Sequence, residues 1–148
     1  MPIFIQPARP EDIPSMVELL KVLFAIEADF SFDPVKHRNA FAHIVASSDC
    51  SAMLAVEDGK VIGMCTAQWV YSTATGQKSA WIEDVVVHPQ CQGKGVGKRL
   101  MSAITQWCQN QGCNRLQLVY DLQNDAAIHF YRKQGFSETR LGVFTKPV

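Results

Sequence analysis

The order of apolar runs along the 148 residues predicts a single α/β domain, a mixed sheet of six or seven strands flanked by about four helices. Three observations carry this expectation. Short β-rich runs alternate with longer stretches whose apolar residues recur at helical spacing. Turn residues such as Asp58-Gly59 and Gly112 punctuate them. Val85, Val86 and Val87 are apolar in succession, as in a strand covered on both faces and flanked by neighbours.

Residues 3–7 are short and apolar, and Pro7 closes them as an opening strand. Pro10, Glu11 and Asp12 give a helix start, with proline near the first position and acids at the positive end of the dipole. Ile13, Val17, Leu20 and Phe24 then place one helical face on the core. Residues 28–32 read as a loop. Asp33-Pro34 opens a second helix with Asp33 as N-cap, and Val35, Ala42 and Val45 carry it toward Ser47.

Strands over 52–56 and 61–70 flank Asp58-Gly59, a pair that favours a tight hairpin. The polar stretch 71–79, with Gly76, reads as the next turn. Residues 81–87 form the central strand. Val96, Leu100, Ile104 and Cys108 make an apolar stripe along a helix from 93 to 111, which Gly112 ends. A strand over 115–120, a helix over 125–134 and one or two strands within 136–145 complete the chain. No linker or repeat interrupts it, so one domain spans 1–148.

Lys plus Arg and Asp plus Glu number 14 each, so no broad basic face recommends nucleic acid, and any anion site is local. No apolar run approaches the roughly 18 residues of a membrane span. Residues 1–20 lack the pattern of a secretory signal. The expectation is a soluble cytoplasmic protein with neither membrane nor nucleic-acid partner. Five cysteines without C-x-x-C spacing read as reduced thiols, Cys91 being an incidental small residue. His88 and His129 have no ligand partner at useful spacing, so no metal is expected. Trp69, Trp81 and Trp107 are expected to pack in the core.

The most informative stretch is Gln92-Gly93-Lys94-Gly95-Val96-Gly97-Lys98-Arg99, entered directly from the central strand through His88-Pro89. Its glycines let successive backbone N–H groups turn toward one point, and the helix opening there adds unsatisfied amides and a positive dipole end. A phosphate belongs there. Lys94, Lys98 and Arg99 supply local charge, joined by Arg132-Lys133 if the two segments meet. A P-loop needs four residues between its first glycine and Gly-Lys, then Ser or Thr; Gly93 and Gly97 enclose three, and Arg99 follows Lys98. The dinucleotide fingerprint G-x-G-x-x-G is not met by G-x-G-x-G, nor does an acid precede Asp121 in the next strand.

Gln92, Gly95 and Gly97 instead meet Q/R-x-x-G-x-G/A, and the preceding strand ends Val-x-Val-His-Pro. In this the chain resembles the GNAT superfamily of acyl-CoA-dependent N-acetyltransferases. A second block resembles the same family: Asn124, Ala127, Phe130, Tyr131, Gly135 and Phe136 fit N-x-x-A-x-x-F-Y-x-x-x-G-F. The opening residues 5–13 look like the family's entry. The resemblance implies acetyl-CoA as acyl donor. Its pyrophosphate falls on Gln92, Gly93, Lys94, Gly95, Val96, Gly97 and Lys98, its pantetheine arm along Val85, Val86 and Val87, and further contacts on Asn124, Ala127 and Tyr131. Asn124 reads equally as the N-cap of its helix.

Acetyl transfer to an amine needs a neutral nucleophile, donors for the oxyanion and a proton for the departing thiolate. By resemblance Tyr131 is the general acid, Glu83 the base acting directly or through water, and the Val85 N–H the oxyanion donor. Asp84, which alternation puts on the opposite face, competes with Glu83. The acceptor, a primary amine of a small molecule or peptide, falls to residues 24–32 and 68–78. There Glu27, Asp29 and Asp33 offer charge, and Phe30 and Phe32 offer flanking rings. The strand 82–87 also resembles that of glucosamine-6-phosphate N-acetyltransferases, to whose phosphosugar the acidic loop is a poor match. A sensor or structural module that binds acetyl-CoA without turnover is the other reading, and the resemblance leaves a homodimer open.

Overall fold

A computed structural model describes residues 1–27 and 30–148. In chain order the elements are β1 (Ile3–Pro7), a 3₁₀ turn at Pro10–Asp12, α1 (Ile13–Ile26), α2 (Pro34–Ala46), β2 (Cys50–Glu57), β3 (Lys60–Ser72), β4 (Gln77–Val87), a 3₁₀ turn at Pro89–Cys91, α3 (Val96–Asn110), β5 (Cys113–Leu118) and α4 (Asp125–Lys133). The strands form one mixed sheet in the order β1-β2-β3-β4-β5. The first four are antiparallel and β5 runs parallel to β4. Short hairpins join β2 to β3 and β3 to β4. The parallel step needs a crossover, which α3 provides.

Local chemistry accounts for the joints. Asp58 and Gly59 both take positive φ, +52° and +74°, the twist a two-residue hairpin requires. The Asp33 carboxylate caps α2 by accepting from the Val35 and Lys36 amides. Asn124 Oδ1 does the same for α4, accepting from the Ala127 N–H at 3.1 Å.

Alternation along the strands splits the core in two. Ala52, Leu54 and Met64 face α1 and α2, where they meet Met16, Val17, Leu20 and Phe41. Ala55, Cys65, Ala67, Ala80 and Ile82 face α3, against Val96, Leu100, Met101, Ile104 and Cys108. Each large apolar side chain withdrawn from water here is worth roughly 1.5–3 kcal/mol. The stripe expected on α3 is therefore its buried face. On α2 the structure corrects the sequence reading: Phe41 is the buried residue, while Val35 and Ala42 are exposed. The aromatic ring offers more apolar area than either and sets the helix's rotation.

Two further expectations are corrected. The sheet has five strands, because residues 137–148 pair with none among the described residues. Four polar residues in succession, Ser137 to Arg140, and then Gly142 leave this segment without a continuous apolar face, and Leu141, Val143 and Phe144 stand in solvent. Trp81 is also exposed, on the sheet face turned toward α1 and α2 but beyond the reach of their core. Trp69 and Trp107 are partly buried against the α3 side as expected. The Trp69 ring is covered by the Lys78 ammonium at 4.0 Å.

Candidate active site

The glycine turn forms an exposed bowl at the amino end of α3. Gly93 and Gly95 adopt φ of +80° and +76°, and a Cβ at either would meet nothing within 4 Å. Backbone conformation, not crowding, selects glycine there. Gly95 is the N-cap and brings no side-chain oxygen to the first turn. Its carbonyl takes the Arg99 amide, and the amides of Val96, Gly97 and Lys98 precede the first possible intrahelical bond. These donors, with the helix dipole, favour an anion. Gln92 Nε2 donates to the Val87 carbonyl at 3.2 Å and ties the bowl to the end of β4. Lys94, exposed, lies 3.8 Å from the half-buried Glu57, a loose pair that a stronger anion can displace. Gly97 is glycine for another reason: its Cβ would stand 3.1 Å from the Phe130 ring of α4. The bowl and α4 are thereby in direct contact.

Between these segments β4 loses a neighbour. Its last pairing with β5 is Ile82 with Leu118, yet β4 continues to Val87. Among the described residues the β5-side edge of residues 83–87 thus has no strand against it, while the other edge stays paired with β3. An extended amide-bearing ligand could add itself along that edge, as a strand would.

The split coincides with an irregularity in β4. Thr66 pairs with Glu83 and Met64 with Val86, so Cys65 alone stands opposite Asp84 and Val85, and Asp84 takes φ +54°. This is a β-bulge with a non-glycine residue in the left-handed region. It reverses the alternation. Ala80 and Ile82 face α3 before it, whereas Val85 and Val87 do so after it and Val86 joins the opposite core. Asp84 Oδ2 lies 3.0 Å from the Thr66 hydroxyl, a buried group on β3. Glu83 remains exposed beside it.

Burial pushes the Asp84 carboxyl up to about 6, the Thr66 hydrogen bond opposes this, and the nearby Glu83 and Glu27 carboxylates add to the rise. The Tyr131 phenol is held up at about 12 by burial first, then by Glu27 and the Cys65 thiol. Cys65, itself raised to about 12 by burial, also feels Asp84. Glu27 at the end of α1, Asp84 on β4, Cys65 on β3 and Tyr131 on α4 therefore share one electrostatic neighbourhood at the split. Tyr131 packs edge-on to Phe130 and Phe136, and among the described residues its hydroxyl makes no hydrogen bond. A neutral phenol and a carboxyl pushed up to about 6 are groups of the kind that can serve as acid and base.

The expected site residues thus fall into connected groups: Gln92, Gly93, Lys94, Gly95, Val96, Gly97 and Lys98 in the bowl, Val85, Val86 and Val87 on the unpaired edge, and Asn124, Ala127 and Tyr131 on α4. Asp33 caps α2, with Oδ1 accepting from the Val35 and Lys36 amides. Asp29 lies outside the described residues. Phe24 stacks on Phe30 at 5.3 Å between centroids, and Phe32 lies beside His37, so the rings after α1 do form a cluster. Thr66 was missed; a lone threonine in an apolar strand gives no signal until its partner across the sheet is known. Among the described residues no group of three His, Cys, Asp or Glu side chains could hold a metal, and no helix is long and apolar enough to cross a membrane.

Residues 14–136 match the acetyltransferase (GNAT) family. The chain is 30% identical over 146 residues to an aminoglycoside N(6')-acetyltransferase type 1 of Stenotrophomonas maltophilia, covering 95% of this chain and 90% of that one. It is 28% identical over 97 residues to the thialysine N-epsilon-acetyltransferase of Mus musculus; that match spans 66% of this chain and little over half, 56%, of the mouse protein. Its fold superposes on the aminoglycoside N-acetyltransferase AAC(6')-Iy in complex with CoA, with a TM-score of 0.86 at 21% identity, covering 99% of this chain and 95% of that one.

Proposed function

Since the chain belongs to the acetyltransferase (GNAT) family, we propose that it transfers the acetyl group of acetyl-CoA to a primary amine of a small molecule or peptide by direct attack within a ternary complex. The observation that carries this reading is the unpaired edge of β4, which leads from the Asp84 bulge and Tyr131 straight into the anion bowl. The glycine conformations and unsatisfied amides fit a pyrophosphate, and the open edge fits the amides of a pantetheine arm. Bound there, acetyl-CoA supplies an acyl group activated as a thioester.

The chain's own groups then have distinct tasks. Gln92, Gly93, Lys94, Gly95, Val96, Gly97 and Lys98 hold the diphosphate, with Asn124 and Ala127 at the start of α4 adding contacts. Val85, Val86 and Val87 orient the arm, and the Val85 N–H is the donor assigned to the carbonyl oxygen where negative charge develops. Asp84, directly or through water, takes the proton that the amine must lose. This moves the role expected of Glu83 by one residue, since the bulge draws Asp84 half out of solvent and leaves its neighbour exposed. Glu83 attracts the cationic acceptor to the mouth. Tyr131 delivers a proton to the departing sulfur.

The relatives' names point the acceptor toward cationic amines such as aminoglycosides or thialysine. Glu27, Glu83 and the Phe24–Phe30 stack suit a cation carrying some apolar surface. The test is CoA release from acetyl-CoA against aminoglycosides, thialysine and lysine analogues, polyamines, amino sugars and peptides, with a no-amine control. Acceleration by one class establishes the activity and identifies its acceptor. Binding of acetyl-CoA with no turnover across the panel would favour the sensor reading.

A further inference from the structure

Thr66 is 1% exposed and sits directly across from Glu83 in the β3–β4 ladder. Its Oγ1 lies 3.0 Å from Asp84 Oδ2 and 3.2 Å from the Glu83 carbonyl oxygen. A hydroxyl has one proton to donate and two lone pairs to offer, so it cannot donate to both at once. Which oxygen it serves depends on Asp84. Facing the charged carboxylate, Thr66 donates to Oδ2. Facing the protonated carboxyl, Thr66 accepts from the Asp84 O–H and turns its own proton to the Glu83 carbonyl. One rotation of a hydroxyl satisfies both states.

We propose that Thr66 is a positioning residue for acetyl transfer, a two-state hydrogen-bond partner that keeps the Asp84 carboxyl aimed at the split through both halves of its proton cycle and pins the left-handed bulge beneath it. The proposal rests on the reading of Asp84 as the proton acceptor. The geometry supports it twice. A proton acceptor must be comfortable with and without its proton, and a buried carboxyl with only a fixed donor or only a fixed acceptor would be unsatisfied in one state. The same hydroxyl also reaches the backbone of Glu83, the residue preceding the φ +54° turn, so side chain and bulge are held from one point.

Other groups around Asp84 leave this role to Thr66. Glu83 on β4 and Glu27 at the end of α1 repel a charged Asp84 and push its carboxyl up. The Cys65 thiol of β3 and the Tyr131 phenol of α4 are both held near 12, so neither carries charge at neutral pH.

The experiment follows the Asp84 carboxyl carbon by NMR in ligand-free protein, with Asp84→Asn assigning the signal. Thr66→Val removes the hydroxyl at nearly constant shape, and Thr66→Ser keeps it. A charged acceptor loses more than a neutral one when its donor goes, so Thr66→Val raises the midpoint by about one pH unit and Thr66→Ser leaves it near the parent value. An unchanged midpoint in folded Thr66→Val overturns the proposal. If the valine protein does not fold, the serine variant still tests it, since a midpoint displaced as far as one pH unit with the hydroxyl retained is equally contrary.

A second arm separates this from the catalytic reading: kcat/KM against pH, with neamine as acceptor, over a range where its amines remain largely protonated. Under the proposal the acid limb follows the Asp84 midpoint in every variant, falls about fivefold lower at pH 6 in Thr66→Val, and leaves the KM for acetyl-CoA unmoved. An acid limb that persists in Asp84→Asn sinks the assignment of the base, whatever the titration shows.

Discussion

Asp84 combines two features that a sequence optimised only for stability would avoid, a left-handed backbone and a carboxylate drawn out of water. In the folded protein it titrates at about 6, above the 3.8 of an ordinary aspartate. The folded protein therefore holds this proton more tightly than the unfolded chain does. The stability linked to that proton is complete below about pH 4 and is lost as pH rises through 6. Asparagine tolerates the left-handed region, accepts the Thr66 hydrogen bond and never ionises. Asp84→Asn is thus expected to be close to the parent in urea denaturation at pH 4 and more stable by about 2 kcal/mol at pH 8. Stability curves that stay parallel from pH 4 to 8 would contradict the burial of a charged Asp84. Turnover should fall in the same variant. Tyr131→Phe makes the complementary case: it retains the rings packed on Phe130 and Phe136 while removing the proton. The kcat is expected to drop about a hundredfold with the KM for acetyl-CoA nearly constant; unchanged kcat removes Tyr131 from the chemistry. The Glu83–Asp84 pair was visible as two adjacent acids on a strand, but strict alternation put Asp84 on the wrong face. The one-residue bulge that corrects this carries no glycine to betray it, so only the pairing register reveals which carboxylate is buried.

At the scale of elements, sequence patterns were most reliable where one residue type meets one geometric demand. Asp33 and Asn124 were readable as caps, and Val96, Leu100, Ile104 and Cys108 as the buried face of α3, because each fits a local rule. Gly93 and Gly95 were readable for the same reason. Gly97 belonged to the same motif, yet its necessity comes from α4, 33 positions away at Phe130. That contact is the joint between the anion bowl and the helix carrying Tyr131. α4 has no fully buried residue of its own and depends on such side contacts. Gly97→Val inserts branched carbon where even a Cβ is at 3.1 Å, so Phe130 and α4 must move outward. The expected result is a loss of about 1–3 kcal/mol in denaturation, with at least tenfold weaker acetyl-CoA binding by calorimetry. Phe130→Leu in the same background should restore part of both, because the smaller side chain makes room. If the double variant is as poor as the single one, the close approach is not the cause.

For the whole molecule, the order of strands and helices implied a mixed sheet, and the charge balance implied that any anion site would be local. Strand number was overcounted because residues 136–145 contain β-favouring letters without a buried face. The consequence is testable. The α3-side core ends, in sequence, at Phe136 and the opposite core at Val86, and beyond Phe136, among the described residues, the ion pair to the body is the exposed Arg132–Glu138 pair. Pairs of that kind contribute no more than about 1 kcal/mol. Leu141, Val143, Phe144 and Val148 are all exposed, so their removal takes apolar surface away from water without opening a cavity. Deleting residues 139–148 is therefore expected to change unfolding free energy by less than about 1 kcal/mol, to leave acetyl-CoA affinity intact and to lessen self-association at high concentration. A destabilisation above about 2 kcal/mol, or a lost ligand, would mean that the segment packs against the free edge of β5 in solution, and the sheet would then have the sixth strand its sequence first suggested.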